Sequence, residues 1–400
     1  MIVPGILRTS QERILWATLW ARGPRGRRGL PIVLVGDPGT AKTTKLRRMA
    51  ALAGMECEAL VASLRQPHEF LGLPTFSENG GEIETRYAPP RFATNCQRAP
   101  RTVLFLDEVT TCAPATQAAL LRVTDEGVVG EADLPAETRI LLAMNTPDDA
   151  GGWDLSLPLA NRLGFLEWPA PSLEEFTARM MSGGGQREAV QPVGLPEDTE
   201  EEFDAEWPAA WAAVTGAVAG FLRVRPALQH QKPSAEAKGY AWPSSRSWEN
   251  AMCALAACRV FGLTLEEQDT ALVAFVGKAV AAEYAAWTLS ADLPDPAALL
   301  DGKSKWRHSD ERPDRTAAVL TACAAILVPE SKDTTLRRAR AGVFWKMVHD
   351  LPDGARDLAL VPVETVQEAK LLHGIPDAYR ALAKMEQLLQ ASGALFAGEA

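Results

Sequence analysis

The fold of the first half of the chain is decided by the stretch Pro31-Ile-Val-Leu-Val-Gly36-Asp-Pro-Gly39-Thr-Ala-Lys42-Thr43. Its apolar start, residues 31–35, is typical of a strand that is buried on both faces. A loop with two glycines follows, and then the helical pattern of residues 42–52. Glycines let backbone N–H groups turn toward phosphate oxygens, and a helix N-terminus adds further amides. The stretch therefore predicts a phosphate-binding loop between a strand and a helix.

This loop matches the pattern GxxxxGK[ST] with one departure, because Ala41 stands where the second glycine usually lies. Lys42 is placed to contact the β- and γ-phosphates of a nucleotide, and Thr43 to offer its hydroxyl to Mg²⁺. A glycine- and proline-rich turn with a chance lysine is the alternative. We predict that ATP and Mg²⁺ bind here, on Gly36, Asp37, Pro38, Gly39, Thr40, Ala41, Lys42, Thr43 and Thr44.

A second apolar run, residues 103–106, ends in the carboxylate pair Asp107 and Glu108. Such a pair at the end of a buried strand is costly unless it serves a cation. We predict that Asp107 holds Mg²⁺, directly or through water, and that Glu108 activates the attacking water. A strand that ends in surface acids is the alternative, which the neighbouring phosphate loop disfavours.

The first half of the chain alternates strand-like and helix-like segments, which predicts an α/β fold with a parallel sheet. We place this domain at residues 1–169. Two hairpins are predicted inside it, at residues 70–87 and 127–135, from turn signals between short alternating runs. The remaining predicted strands are 58–62, 139–144 and 164–168, and the predicted helices are 42–52 and 113–126.

The second half of the chain reads as mainly helical. We predict a helical domain at residues 170–290, which contains an acidic loop at 183–206, and a helical C-terminal region at 291–400. The predicted helices of this half are 209–222, 247–261, 265–289, 315–327 and 377–391.

Composition excludes several classes of protein. With 47% hydrophobic and 23% charged residues among 400, the chain is not a largely disordered one. Its net charge of −10 argues against a protein that wraps nucleic acid by electrostatics alone. The apolar runs are too short to span a bilayer, and the start of the chain lacks a signal-peptide pattern. We therefore expect no membrane partner and a cytoplasmic location.

Taken together with three later segments, these motifs resemble an AAA+ ATPase over roughly residues 1–290. The apolar strand that ends in Asn145 looks like sensor 1, which would orient the water together with Glu108. Residues 157–163 look like the segment of the arginine finger, with Arg162 in that role; a helix C-cap or an ion pair with an acid is the alternative for Arg162. Residues 242–248 look like sensor 2, with Arg246 touching the nucleotide; a position on a solvated lid surface is the alternative. The Ala-Lys-Thr ending of the loop and the two hairpins are similar to the MoxR branch.

The resemblance implies a P-loop AAA+ core followed by an α-helical lid at residues 170–290. It implies an ATP hydrolase that forms a ring, most often a hexamer, because an arginine finger acts on a neighbour's nucleotide. MoxR-like proteins act as chaperones on a partner protein, often one with a von Willebrand factor A domain. Arg139 and Arg122 are left open as further residues of the subunit seam or as surface residues.

Two other functions remain open. One is a nucleic-acid motor or loader, which the short basic run at residues 25–28 would suit. A surface loop is the simpler explanation of this run. Nucleic acid is therefore not our expected partner. The other is a nucleotide-dependent scaffold with little turnover, which the joint presence of Lys42, Asp107, Glu108 and Asn145 disfavours.

Overall fold

The computed structural model describes residues 4–5, 7–79, 82–99, 101–145, 152–181, 199–234, 238–329 and 333–391. The chain divides into two compact units. The first contains residues 1–203 and 230–281, and the second contains 204–229 and 282–400. The structure thus groups residues 230–281 with the α/β core, and the predicted division at 169 and 290 stays a prediction.

A five-stranded sheet forms the centre of the first unit, with all its pairs parallel and the order β2-β5-β8-β1-β9. This confirms the predicted α/β class. Its strands are β1 Ile32–Val35, β2 Glu56–Val61, β5 Thr102–Asp107, β8 Thr138–Met144 and β9 Gly164–Glu167. The inner strands β5 and β8 are buried along almost their whole length, which explains their unbroken apolar runs.

Both predicted hairpins are present. The first pairs β3 Leu73–Asn79 with β4 Glu82–Ala88, and the second pairs β6 Val128–Val129 with β7 Ala132–Asp133. The turn of the first hairpin, residues 80–81, lies outside the described residues.

The helices of the described chain follow in order: α1 Ser10–Trp20, α2 Lys42–Leu52, α3 Pro67–Leu71, α4 Arg91–Arg98, α5 Pro114–Glu126, α6 Leu157–Ala160, α7 Leu173–Met181, α8 Thr199–Val224, α9 Ser245–Val260, α10 Leu265–Val276, α11 Lys278–Ala291, α12 Pro296–Leu300, α13 Pro313–Leu327, α14 Thr334–His349, α15 Leu360–Glu368 and α16 Pro376–Ala391. Within the described ranges, none of them combines the length and apolar content that crossing a membrane requires.

Two sequence predictions about helices are wrong. The single helix expected at 265–289 is two helices, because Gly277 takes φ +84° and ends α10 before α11 begins. The acidic segment 199–206, expected as loop, is the start of α8. Its three glutamates, Glu200 to Glu202, lie in the first helical turn, where the helix dipole favours negative charge.

The second unit has its own apolar core, which is built from helices. Trp345 and Phe344 of α14 are fully buried there beside Val363 and Met385. The Trp345 indole donates to the carbonyl of Leu371 at 2.8 Å, so its buried N–H group is satisfied.

Candidate functional site

The phosphate loop connects the carboxyl end of β1 to α2. It begins in close contact with β9, since a Cβ at Gly36 would lie 2.2 Å from the carbonyl oxygen of Trp168. It ends at Ala41, which takes φ +60° and ψ 29° immediately before the helix. A left-handed conformation costs a residue with a Cβ about 1–2 kcal/mol. The loop therefore keeps a glycine-like backbone at Ala41 and stores strain there.

Lys42 extends back across this loop. Its ammonium donates to the carbonyls of Gly36 at 2.6 Å and Asp37 at 3.0 Å, and lies 3.5 Å from Asn145 Oδ1. Burial lowers the pKa of Lys42, while the carboxylates of Asp107 and Asp37 act in the opposite direction. The ammonium is thus held among neutral acceptors that a phosphate, which accepts more strongly, can replace.

Two oxygen ligands suited to Mg²⁺ meet beside the loop. Thr43 Oγ1 donates to Asp107 Oδ2 at 2.9 Å. Mg²⁺ prefers oxygen ligands and is usually held by one or two protein groups together with substrate phosphates and water. A hydroxyl and a carboxylate at this spacing fit that ion; Thr43 and Asp107 as its ligands stay a prediction.

Glu108 follows Asp107 at the end of β5 and has a strained backbone, with φ 57° and ψ 45°. Its Oε2 accepts a hydrogen bond from Ser63 Oγ at 2.6 Å. Non-glycine residues in this region persist only where their surroundings enforce it, and they cluster at functional sites. Sequence reasoning missed Ser63, which directly follows the predicted strand 58–62. Only the structure shows that β2 and β5 are parallel neighbours, with Val61 paired to Asp107.

Asn145 completes this group from β8, directly after Met144. Because β1, β5 and β8 are adjacent parallel strands, their carboxyl ends lie at one edge of the sheet, called here the carboxyl edge. The rest of the predicted sensor 1 segment, residues 146–147, lies outside the described residues.

Arg162 lies at the opposite side of the sheet. It comes just before β9, whose first residue Gly164 pairs with Ile32, the first residue of β1. This side, where the strands begin, is called the amino edge. A four-residue strand spans about 13 Å, so β1 separates Arg162 from the phosphate loop. The Arg162 guanidinium donates to the Pro158 carbonyl at 2.7 Å and lies 3.1 Å from Asp125 Oδ2.

Arg246 lies at the same amino edge. It belongs to the first turn of α9, whose N-cap Ser244 accepts a hydrogen bond from Asn161 at 2.7 Å. Its guanidinium lies 3.5 Å from Asp125 Oδ2, the oxygen that Arg162 also contacts. The structure therefore brings the two predicted arginines together, and it brings neither to the phosphate loop of the same chain.

A pocket at the amino edge is lined by Arg25, Arg27, Arg28, Arg162, Arg246 and Asp125, among other residues. The three arginines of the basic run 25–28 have internal partners. Arg25 contacts Asp125 at 3.1 Å, Arg27 donates to three backbone carbonyls near β7, and Arg28 lies 3.7 Å from Glu200. Each of the three therefore has a partner within the chain.

The sequence leaves open whether Arg139 and Arg122 lie at the subunit seam or elsewhere on the surface, and the structure shows that the two differ in burial. Arg139 is fully buried, where it donates to the Leu19 carbonyl at 3.1 Å and to Glu137 at 2.8 Å. It therefore lies neither at the surface nor within reach of another chain. Arg122 is exposed and contacts Glu126 of the next turn at 3.1 Å.

A family model matches the part of the chain that carries these residues. Residues 31–163 match the family model of the AAA domain, dynein-related subfamily. The match starts at β1 and ends after Arg162, so it includes both edges of the sheet. With the five-stranded parallel sheet, it identifies a P-loop AAA+ nucleotide-binding fold and supports a nucleotide-dependent ATPase.

Among the solved structures that match the chain is a protein described as a candidate ATPase from Cytophaga hutchinsonii. It is 17% identical, with a TM-score of 0.45, over 68% of this chain and 83% of that chain. No curated protein matches the chain.

Proposed function

We propose that this protein is a ring-forming AAA+ ATPase of the MoxR-like type, which hydrolyses ATP to remodel or activate a partner protein in the cytoplasm. One observation carries the assembly part of this proposal. The groups suited to hold ATP lie at the carboxyl edge, and Arg162 and Arg246 lie at the amino edge of the same sheet. One copy of the chain cannot bring the two edges together, but the amino edge of a second copy can face its carboxyl edge.

At the carboxyl edge each residue has a separate task. The loop amides and Lys42 bind the phosphates, and Thr43 with Asp107 would hold Mg²⁺. When bound, Mg²⁺ supplies charge stabilisation to the phosphates. Glu108 accepts the proton of the attacking water, and Asn145 orients that water. The Ser63 hydroxyl occupies one carboxylate oxygen of Glu108 and leaves Oε1 for the water.

At the amino edge, Arg162 and Arg246 act on the nucleotide of the adjacent copy. Positive charge near the transferred phosphoryl group stabilises the transition state, and an arginine finger contributes about 10³–10⁵ in rate where it acts on GTPases. Arg246 therefore senses the neighbour's nucleotide in this proposal rather than its own. In a hexameric ring, the phosphate loop of every subunit faces Arg162 and Arg246 of a neighbour.

The first hairpin is the proposed contact with the partner protein. One of its faces carries Phe76, Ile83 and Tyr87, since residues that pair across β3 and β4 share a face. All three are exposed, Phe76 and Ile83 to more than three quarters. Exposed apolar groups of this kind suit a protein client. A partner with a von Willebrand factor A domain rests on the MoxR resemblance alone.

Mixed assemblies test this proposal. Arg162→Ala and Lys42→Ala are each expected to lose turnover, because one lacks the finger and the other lacks the phosphate contact. In a mixture, a Lys42→Ala subunit presents its intact Arg162 to a neighbour with an intact loop. Part of the lost activity should therefore return, and native mass with ATP should show a ring. A monomeric mass together with no rescue would refute the ring and the trans-acting finger.

A further inference from the structure

Asp125 is the meeting point of three arginines that come from three separate parts of the chain. Its carboxylate lies 3.1 Å from Arg25, 3.1 Å from Arg162 and 3.5 Å from Arg246. Arg25 also donates to the Asp125 backbone carbonyl at 3.2 Å. Within the described ranges, Asp125 is the one carboxylate at ion-pair distance from these three guanidinium groups. We call these four residues the Asp125 cluster.

The position of Asp125 in its helix is unfavourable by itself. It lies in the last turn of α5, where the helix dipole disfavours negative charge. Nearby positive charges offset this unfavourable interaction with the helix dipole. Three guanidinium groups, however, carry more positive charge than one carboxylate neutralises. The cluster therefore keeps a net positive charge and is suited to bind a further anion.

Two further features of the cluster indicate that its geometry is enforced. Arg25 takes φ 61° and ψ 27°, in the left-handed region that residues with a Cβ rarely adopt. Arg162 is largely buried, and its Nε has no hydrogen-bond partner among the described residues. A buried donor without a partner is costly unless a ligand satisfies it. The Nε itself is enclosed by the protein, so a ligand would meet the exposed part of the Arg162 guanidinium, beside the other two guanidinium groups.

We propose that Asp125 is a positioning residue, which holds Arg25, Arg162 and Arg246 as one cluster that stabilises the charge gained by the terminal phosphates of ATP during hydrolysis on the adjacent copy of the chain. Arg25 is then a third arginine of the seam. The inference rests on the proposed function and adds two residues to it. The carboxylate reduces repulsion among the three guanidinium groups, and its single charge leaves the cluster attractive to a triphosphate.

Asp125→Asn tests the charge of this residue, because the amide has nearly the same shape. Lost positioning of the arginines should lower kcat about tenfold or more, which corresponds to about 1.4 kcal/mol of transition-state stabilisation. The KM for ATP should stay near the parent value, because the phosphate loop, which supplies the ground-state contacts, is at the other edge. A thermal melt checks folding, since the variant also loses three ion pairs. Glu126→Gln is the matched control: it is the next residue and contacts Arg122 outside the cluster, so kcat should not change.

Arg25→Gly tests the third arginine without a folding penalty from strain. Glycine adopts φ 61° readily, so this variant removes the guanidinium and keeps the backbone. It should lower kcat and leave the KM for ATP unchanged. Parent-like kcat would remove Arg25 from the seam.

Mixing separates positioning from a merely structural role. Asp125→Asn mixed with Lys42→Ala should regain activity, since the Lys42→Ala subunit lends intact arginines to a neighbour with an intact loop. Asp125→Asn mixed with Arg162→Ala should regain none, because both lack working arginines. If only the Arg162→Ala and Lys42→Ala mixture is rescued, the role of Asp125 is overturned and the ring stands. No rescue in any mixture overturns both. A kcat above the parent value for Asp125→Asn would mean that Asp125 restrains the arginines, which also overturns the proposal.

Discussion

Replacing Glu108 by Gln separates ATP binding from hydrolysis. The amide keeps an oxygen that can accept from Ser63 Oγ, which lies 2.6 Å from the carboxylate. Thr43 and Asp107, the proposed Mg²⁺ ligands, contact each other at 2.9 Å without Glu108. The side chain should therefore stay in place, and only its ability to accept a proton is lost.

The two expected magnitudes differ widely. ATP affinity should change by less than about threefold, or roughly 0.7 kcal/mol, because Glu108 makes no contact with the phosphate loop in the described structure. Turnover should fall by about 10²–10⁴, the usual contribution of a general base. At about 1.4 kcal/mol per tenfold this is roughly 3–5 kcal/mol.

The assay pairs an equilibrium titration of ATP in the presence of Mg²⁺ with steady-state phosphate release. Asp107→Asn is the informative companion variant, since losing a proposed Mg²⁺ ligand should raise the Mg²⁺ concentration needed for half-maximal turnover. If Glu108→Gln loses affinity and turnover by the same factor, or shares the Mg²⁺ dependence of Asp107→Asn, the assignment of Glu108 as base is refuted.

Three further changes test the phosphate loop. Lys42→Ala should weaken ATP binding about 100-fold, the loss expected from one or two charge-assisted hydrogen bonds, with a parent-like unfolding temperature; calorimetric titration and thermal melts measure both. Gly36→Ala should lower the free energy of unfolding by about 1–3 kcal/mol in urea titrations, because its Cβ would lie 2.2 Å from the Trp168 carbonyl oxygen. Ala41→Gly should not destabilise the protein, since relief of about 1–2 kcal/mol of left-handed strain offsets the greater chain entropy of glycine; a loss above 1 kcal/mol in the same titration would contradict this.

The carboxyl edge could be predicted from the sequence almost completely. Three apolar runs end in Gly36, Asp107 and Asn145, and their lengths and composition indicate strands that are buried on both faces. Alternation with helices makes such strands parallel, and parallel neighbours place their carboxyl ends together. The local sequence pattern therefore predicts that these distant residues lie close together, because this requires only that their strands run in the same direction.

The amino edge could not be predicted in this way. Asp125 looks like one more acid at the end of an amphipathic helix, and Arg25 like part of a solvated loop. Their meeting with Arg162 and Arg246 depends on how α5, α9 and the loop before β1 pack. The sequence around Arg139 is compatible with a surface position, but the packing of the unit buries this residue. Periodicity reports which face of an element is apolar, but it does not report which distant element covers that face, and that choice depends on the packing of the whole unit.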